Sequence, residues 1–114
     1  MSLVEKNIIA DNSIDWKDLG NGVRRKVMFY DKKMMLVKFE FKKDAVGALH
    51  NHPHLQLSYV ASGVFEFNLG GEKKIIREGD VYNVPSGIQH GIICLEAGTL
   101  IDVFNPIRQD FLEN

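Results

Sequence analysis

The chain has 114 residues, 45% of them hydrophobic and 25% charged, with a formal net charge of -1. That length holds one domain with one core. The charge balance offers no broad basic field for nucleic acid, and no apolar run is long enough to span a bilayer. The one cysteine, Cys94, cannot close an internal disulfide, and the N-terminus MSLVEKNIIADNS lacks a charged-then-apolar signal pattern. The expectation is a protein of the reducing cytoplasm, without nucleic-acid or membrane partners. Its stability must come from the apolar core, with help from a metal or a second subunit.

Strand signals dominate the chain. A single helical turn is expected at most near Asp15–Leu19 or Pro106–Leu112. After a turn at Gly20-Asn21-Gly22, Arg24–Tyr30 reads as a strand. In Met34–Lys43, Met35, Val37, Phe39 and Phe41 alternate with Lys38, Glu40 and Lys42, the period of a half-buried strand. A break is expected at Gly47, then strands at Leu55–Ala61 and Gly63–Leu69, the latter with Phe65, Phe67 and Leu69 on one side. Gly70-Gly71 has the composition of a tight hairpin into Lys73–Arg77. Beyond Gly79-Asp80 come Val81–Val84, a turn at Pro85-Ser86-Gly87, and Gly91–Glu96. A further break at Glu96-Ala97-Gly98 precedes Thr99–Asn105. Many short strands joined by glycine-rich turns, with no linker or repeat, imply an all-β sandwich or barrel and one domain over residues 1–114.

All four histidines fall in two short stretches, His50-Asn51-His52-Pro53-His54 and the run ending at His90. In extended chain, residues two apart share a face, so His50 and His52 can offer two imidazoles to one ion. Gln56 lies too far along a straight strand to join them, but Pro53 gives the chain reason to bend. A fourth ligand, His90, would come from a distant strand that a barrel can place opposite. The competing reading is four unrelated polar residues at strand ends. His54 is ambiguous, either supporting a ligand or exposed on the bend. Cys94 is in phase with His90 but reads as a buried, inert thiol.

The run HNHPHLQLSYVASG, His50 to Gly63, resembles the first cupin motif, with Gln56 where Glu is usual. GDVYNVPSGIQHGIIC, from Gly79, resembles the second, matching at Gly79, Pro85, Gly87 and His90 and carrying Cys94 in place of Asn. The glycine that usually precedes His-x-His is replaced by Asp44. The resemblance implies a small single-domain cupin, a double-stranded β-helix or jelly-roll barrel, with one divalent metal ion (Zn, Ni, Mn or Fe) held by His50, His52, Gln56 and His90. Three imidazoles and an amide cancel none of the ion's charge, so such a site favours an anionic substrate or Lewis-acid work.

On the last strand Leu100, Asp102 and Phe104 share one face. A carboxylate there must be satisfied, by a partner such as Arg108 or by the barrel rim. Across nearly the full length, DWKDLGNGV from Asp15, Arg25–Tyr30, His50–Gly63 and the DVFNPIR ending make the chain similar to the KdgF-type pectin-degradation cupins. That family linearises 4,5-unsaturated monouronates, released from pectin or alginate by lyases, to the open-chain 4-deoxy-5-ketouronate. By motif position the resemblance makes Asp102, Phe104 and Arg108 the active-site residues, with a small anionic sugar as substrate. Two other readings are a cupin dioxygenase with a redox metal and a non-catalytic sugar- or metabolite-binding cupin. Small cupins often pair, and a homodimer would add core.

Overall fold

The computed structural model describes residues 2–113. A five-residue helix, α1 (Leu3–Asn7), precedes eight strands: β1 (Lys17–Gly20), β2 (Val23–Tyr30), β3 (Met35–Phe41), β4 (Val46–His50), β5 (Leu55–Leu69), β6 (Glu72–Arg77), β7 (Val81–Val84) and β8 (His90–Asn105). Every strand pairing is antiparallel. This is the all-β architecture expected, built around two long strands rather than many short ones.

β5 has 15 residues and β8 has 16, and they pair along nearly their whole length. Each serves two layers. The C-terminal half of β8 pairs with β3, which continues through β2 to β1; its N-terminal half pairs with β4. Likewise the first half of β5 pairs with β7 and the second with β6. The two layers face each other over the core. Where the strands pass between layers the register slips, between Val60 and Phe65 on β5. Gly63 has φ +88, and a Cβ on it would lie 2.7 Å from the Glu96 carbonyl. A Cβ on Gly98 would collide with the Ser62 carbonyl. Only glycines let the two backbones cross this closely.

Three sequence expectations are corrected here. Glu96-Ala97-Gly98 does not end a strand, because the Ser62 hydroxyl and the opposing backbone keep β8 paired through the bend. Gly47 is not a break but lies within β4; a Cβ there would press on the Ile92 side chain at 3.0 Å, so the position is small for packing. Asp15–Leu19 forms no helical turn, since Lys17 and Asp18 pair with Arg25 and Arg24 across the Gly20–Gly22 turn as β1. The Pro106–Leu112 expectation meets a short 3-10 turn at Gln109–Phe111. Gly70 and Gly71, with φ 59 and 93, form the hairpin anticipated.

The period-two patterns place the core. Met35, Val37 and Phe41 of β3, Phe65 and Phe67 of β5, and Leu100 and Phe104 of β8 are all buried. α1, which no periodicity announced, buries none of its residues. The segment after it is tied down by one cluster: Asp11 bridges Lys26 at 2.9 Å and Lys38 at 2.6 Å. Lys26, 4% exposed, also donates to the Asp11 carbonyl and lies over the Trp16 ring, so a buried ammonium is compensated.

Candidate metal centre

Three histidines converge where β4 ends and β8 begins. His50 closes β4 and stands opposite His90, the first residue of β8. His52, in the loop before β5, completes the group. Ring nitrogens of His50, His52 and His90, one from each, lie within 4.8 Å of one another, close enough to hold a metal ion. Backbone curvature just upstream aims β4 at this point. Asp44 takes the left-handed conformation, φ 71, that the missing motif glycine would supply, a conformation aspartate tolerates better than most residues. Its N–H donates to the Cys94 carbonyl at 2.8 Å, fastening the bend to β8.

All three rings are held alike. His50 Nδ1 is 2.8 Å from the Ala48 carbonyl, His52 Nδ1 3.0 Å from that of His54, and His90 Nδ1 3.0 Å from that of Ile88. An imidazole that donates from Nδ1 keeps its lone pair on Nε2, the arrangement of a ligating histidine. Nε2 of His90 is buried with no hydrogen-bond partner. Nε2 of His52 lies 3.1 Å from Gln56 Oε1. The Gln56 amide is oriented from behind, its Nε2 donating to Ser58 Oγ at 3.0 Å and to Asp102 Oδ2 at 3.4 Å. Two lone-pair atoms therefore face each other, a juxtaposition that a cation between them would relieve. Burial lowers the His52 pKa and brings that of His90 down to about 4, so both are neutral at pH 7. The three histidines can hold a metal ion, and Gln56 Oε1 adds an oxygen beside them. A neutral nitrogen-and-oxygen donor set of this kind suits a divalent transition-metal ion.

Asp102 stands opposite Ser58 across β5 and β8 and is 5% exposed. Its Oδ1 has no partner. Burial pushes the carboxyl up to about 7, against the pull of the Ser58 hydroxyl and the Arg108 charge. His90 and Asp102 are twelve residues apart on one strand, about 40 Å in straight chain at roughly 3.3 Å per residue. The bend at Gly98 brings both to a single cavity of about 110 Å³, which Gln56, Phe104 and Arg108 also line. A hollow of about 730 Å³ beside the β1–β2 turn is larger, but it contains no histidine, and its Arg24 and Glu40 pair with each other at 2.6 Å.

The structure thus gathers His50, Gln56, His90, Asp102, Phe104 and Arg108 around one cavity, with His52 joining from behind the wall through its contacts with Gln56 and the other two histidines. Arg108 does not pair with Asp102; its Nη2 bonds Asp110 Oδ2 at 2.8 Å and its Nε bonds Oδ1 at 3.0 Å. His54 supports His52 through its carbonyl, while its own Nδ1 is buried without a partner. Sequence reasoning missed Ser58, although it lies in phase with Gln56 on the same strand. It also missed Tyr82, which lines the cavity and whose hydroxyl burial keeps protonated.

A model of the cupin domain family matches residues 37–104. The pectin degradation protein KdgF of Dickeya dadantii (strain 3937) is 42% identical over 109 residues, covering 94% of this chain and 99% of the relative. The chain belongs to the KdgF family of cupins. Among solved structures, KdgF from Halomonas sp. superposes with a TM-score of 0.88 at 36% identity, over 92% of this chain and 97% of that one. An RmlC-like cupin from Shewanella frigidimarina NCIMB 400 gives 0.89 at 37%, over 92% and 95%. Within the cupin frame, Cys94 has taken the place of the motif's usual asparagine. It is fully buried, its Sγ lies 3.1 Å from the Glu96 carbonyl, and burial raises its pKa. The thiol packs the core, an environment that disfavours the reactive thiolate.

Proposed function

We propose that this cupin is a metal-dependent enzyme that opens the ring of 4,5-unsaturated monouronates, from pectin or alginate breakdown, to the open-chain 4-deoxy-5-ketouronate. The observation that carries the reading is a histidine triad, two of whose members line the same cavity as Gln56, the buried Asp102 and an arginine. Membership of the KdgF family supports it. In this reading residues 1–114 act as one cytoplasmic domain, working as a homodimer on a small anionic sugar.

His50, His52, Gln56 and His90 would hold one divalent ion. When bound, it supplies a Lewis acid for the sugar oxygens, with no ligand carboxylate to cancel its charge. Arg108 receives the sugar carboxylate, and Phe104 packs against the ring. The reaction is an isomerisation. The bond from C1 to the ring oxygen breaks as the C1 hydroxyl loses its proton to Asp102, leaving an aldehyde at C1 and an enolate at C5. A proton added at C4 then gives the C5 ketone. Asp102 accepts the first proton and returns one to C4. Its carboxyl, with a pKa of about 7, is matched to both tasks near neutral pH.

The test follows the ultraviolet absorbance of the conjugated double bond in 4,5-unsaturated monogalacturonate. Metal-loaded wild type should speed its loss well above the unaided rate, and chelation or Asp102→Asn should each remove the acceleration. Full activity in Asp102→Asn rules out the proton role. No acceleration by protein with metal demonstrably bound rules out the linearising activity and favours the dioxygenase reading, which oxygen consumption would then reveal.

A further inference from the structure

The C-terminal turn poses a question that the proposed reaction leaves open. If Arg108 is to receive a substrate carboxylate, its guanidinium already holds one. Asp110 grips the Nε and Nη2 edge in the paired, fork-to-fork geometry, at 3.0 and 2.8 Å. Nη1 makes no hydrogen bond among the described residues, so the second edge of the guanidinium remains available. Arg108 has an 11% exposed side chain and Asp110 a 56% exposed one. The aspartate therefore approaches from the solvent side, and the arginine extends inward to the cavity wall. Two rings restrain the guanidinium further, Phe104 at 5.2 Å and Phe111 at 4.2 Å from ring centre to Cζ. Phe111 is itself fixed, with the Arg25 guanidinium 4.0 Å from its centre and the edges of Phe39 and Phe104 against it. A long side chain with four rotatable bonds is thus reduced to one pose.

We propose that Asp110 is a positioning residue for carboxylate recognition: it holds Arg108 by one edge so that the free edge is presented to the cavity, and it thereby sets the preference for uronates over neutral sugars. This rests on the reading that the substrate is a uronate. The energetic logic is preorganisation. An arginine already ordered by Asp110 and Phe111 loses little freedom when a second carboxylate arrives, whereas an unpaired one would have to be ordered by the substrate itself. The aspartate touches no substrate and acts only through Arg108.

The experiment compares wild type with Asp110→Asn and Asp110→Glu, all metal-loaded. It measures turnover of 4,5-unsaturated galacturonate and calorimetric binding of D-galacturonate, a non-reacting uronate, beside neutral D-galactose. Asp110→Asn should raise KM and the galacturonate Kd about ten-fold, the scale of one charge-assisted hydrogen bond. The kcat should stay within about two-fold, galactose binding should not change, and Asp110→Glu should recover part of the loss. Unchanged KM and Kd overturn the proposal, and so does a lower KM, which would make Asp110 a competitor for the fork. A fall in kcat and affinity that tracks lost thermal stability, for both sugars alike, also overturns it by showing a merely structural role. If wild type binds galacturonate without turning over the unsaturated sugar, the reaction is wrong, and the Kd ratio alone supports or overturns the role of Asp110. If wild type binds neither uronate, substrate class and positioning role fall together.

Discussion

An ionised carboxylate with one unpartnered oxygen is costly inside a β-barrel, and Asp102 is such a group. Its folded pKa of about 7 lies above the ordinary aspartate value of about 3.9, and the sign of its effect on stability follows. Below about pH 4 both folded and unfolded states are protonated and the residue costs nothing. Between there and pH 7 the unfolded chain ionises first, and the penalty grows until it is complete above pH 7. Metal-free Asp102→Asn should therefore be more stable than metal-free wild type at pH 8, by roughly 1–3 kcal/mol, with the gap closing towards pH 4. Thermal melts of both proteins across that range check it. An Asp102→Asn protein that melts lower than wild type at pH 8 would mean that the carboxylate is satisfied after all. Stability given up at one buried residue is the usual mark of a site kept for chemistry.

At the scale of elements, the N-terminal segment hangs on few contacts. Asp11 joins it to Lys26 of β2 and Lys38 of β3. Hydrogen bonds from Lys38 and Lys26 hold the Asp11 carboxyl below its usual range. A depressed folded pKa stabilises above the unfolded value and is lost as pH falls through the folded one. Limited acid-protease digestion should cut before β1 increasingly as pH drops below about 4, and Asp11→Ala should show the same cutting at pH 7 with a neutral-range protease; resistance in Asp11→Ala would place the tether elsewhere. None of this was readable in the sequence, because Lys26 sits at a position where alternation predicts a solvent-facing charge. What can be read is period two: the alternation that puts Met35 and Val37 on one face of β3, and Phe65 and Phe67 on one face of β5, marks the faces that lie in the core, and Leu100, Asp102 and Phe104 share a face as their spacing predicts. The histidine pair at His50 and His52 was legible for the same reason. The glycine crossings were not. A glycine that ends a strand and a glycine that lets two strands cross have the same local composition, and only the opposing backbone, Ser62 against Gly98, distinguishes them. The Arg108–Asp110 pair was hidden because the turn that joins them has no periodicity to read.

For the whole molecule, the site and the fold are one thermodynamic system. The candidate donors come from β4, the following loop, β5 and β8, so a metal bound to the native arrangement would stabilise the entire barrel. At free metal a hundred-fold above Kd the gain should be about 2.7 kcal/mol, a rise on the order of 10 °C in Tm for a chain of this size. Melts of chelator-stripped protein with added zinc, nickel, manganese or iron(II) test this and rank the ions. A Tm indifferent to all four would mean that the three histidines hold none of them.

The bend in β8 has one more consequence. His90 and Asp102 belong to the same strand, folded back on itself where Gly98 passes under Ser62. In the proposed function, the part that would hold the ion and the part that would move the proton are therefore two ends of one lever with a common pivot. Damage at the pivot disengages both ends together. On that proposal the barrel is built to fail silently: a protein distorted there would lose its ion as it lost its base, and would not persist as a loaded metal centre free to run unguided side reactions.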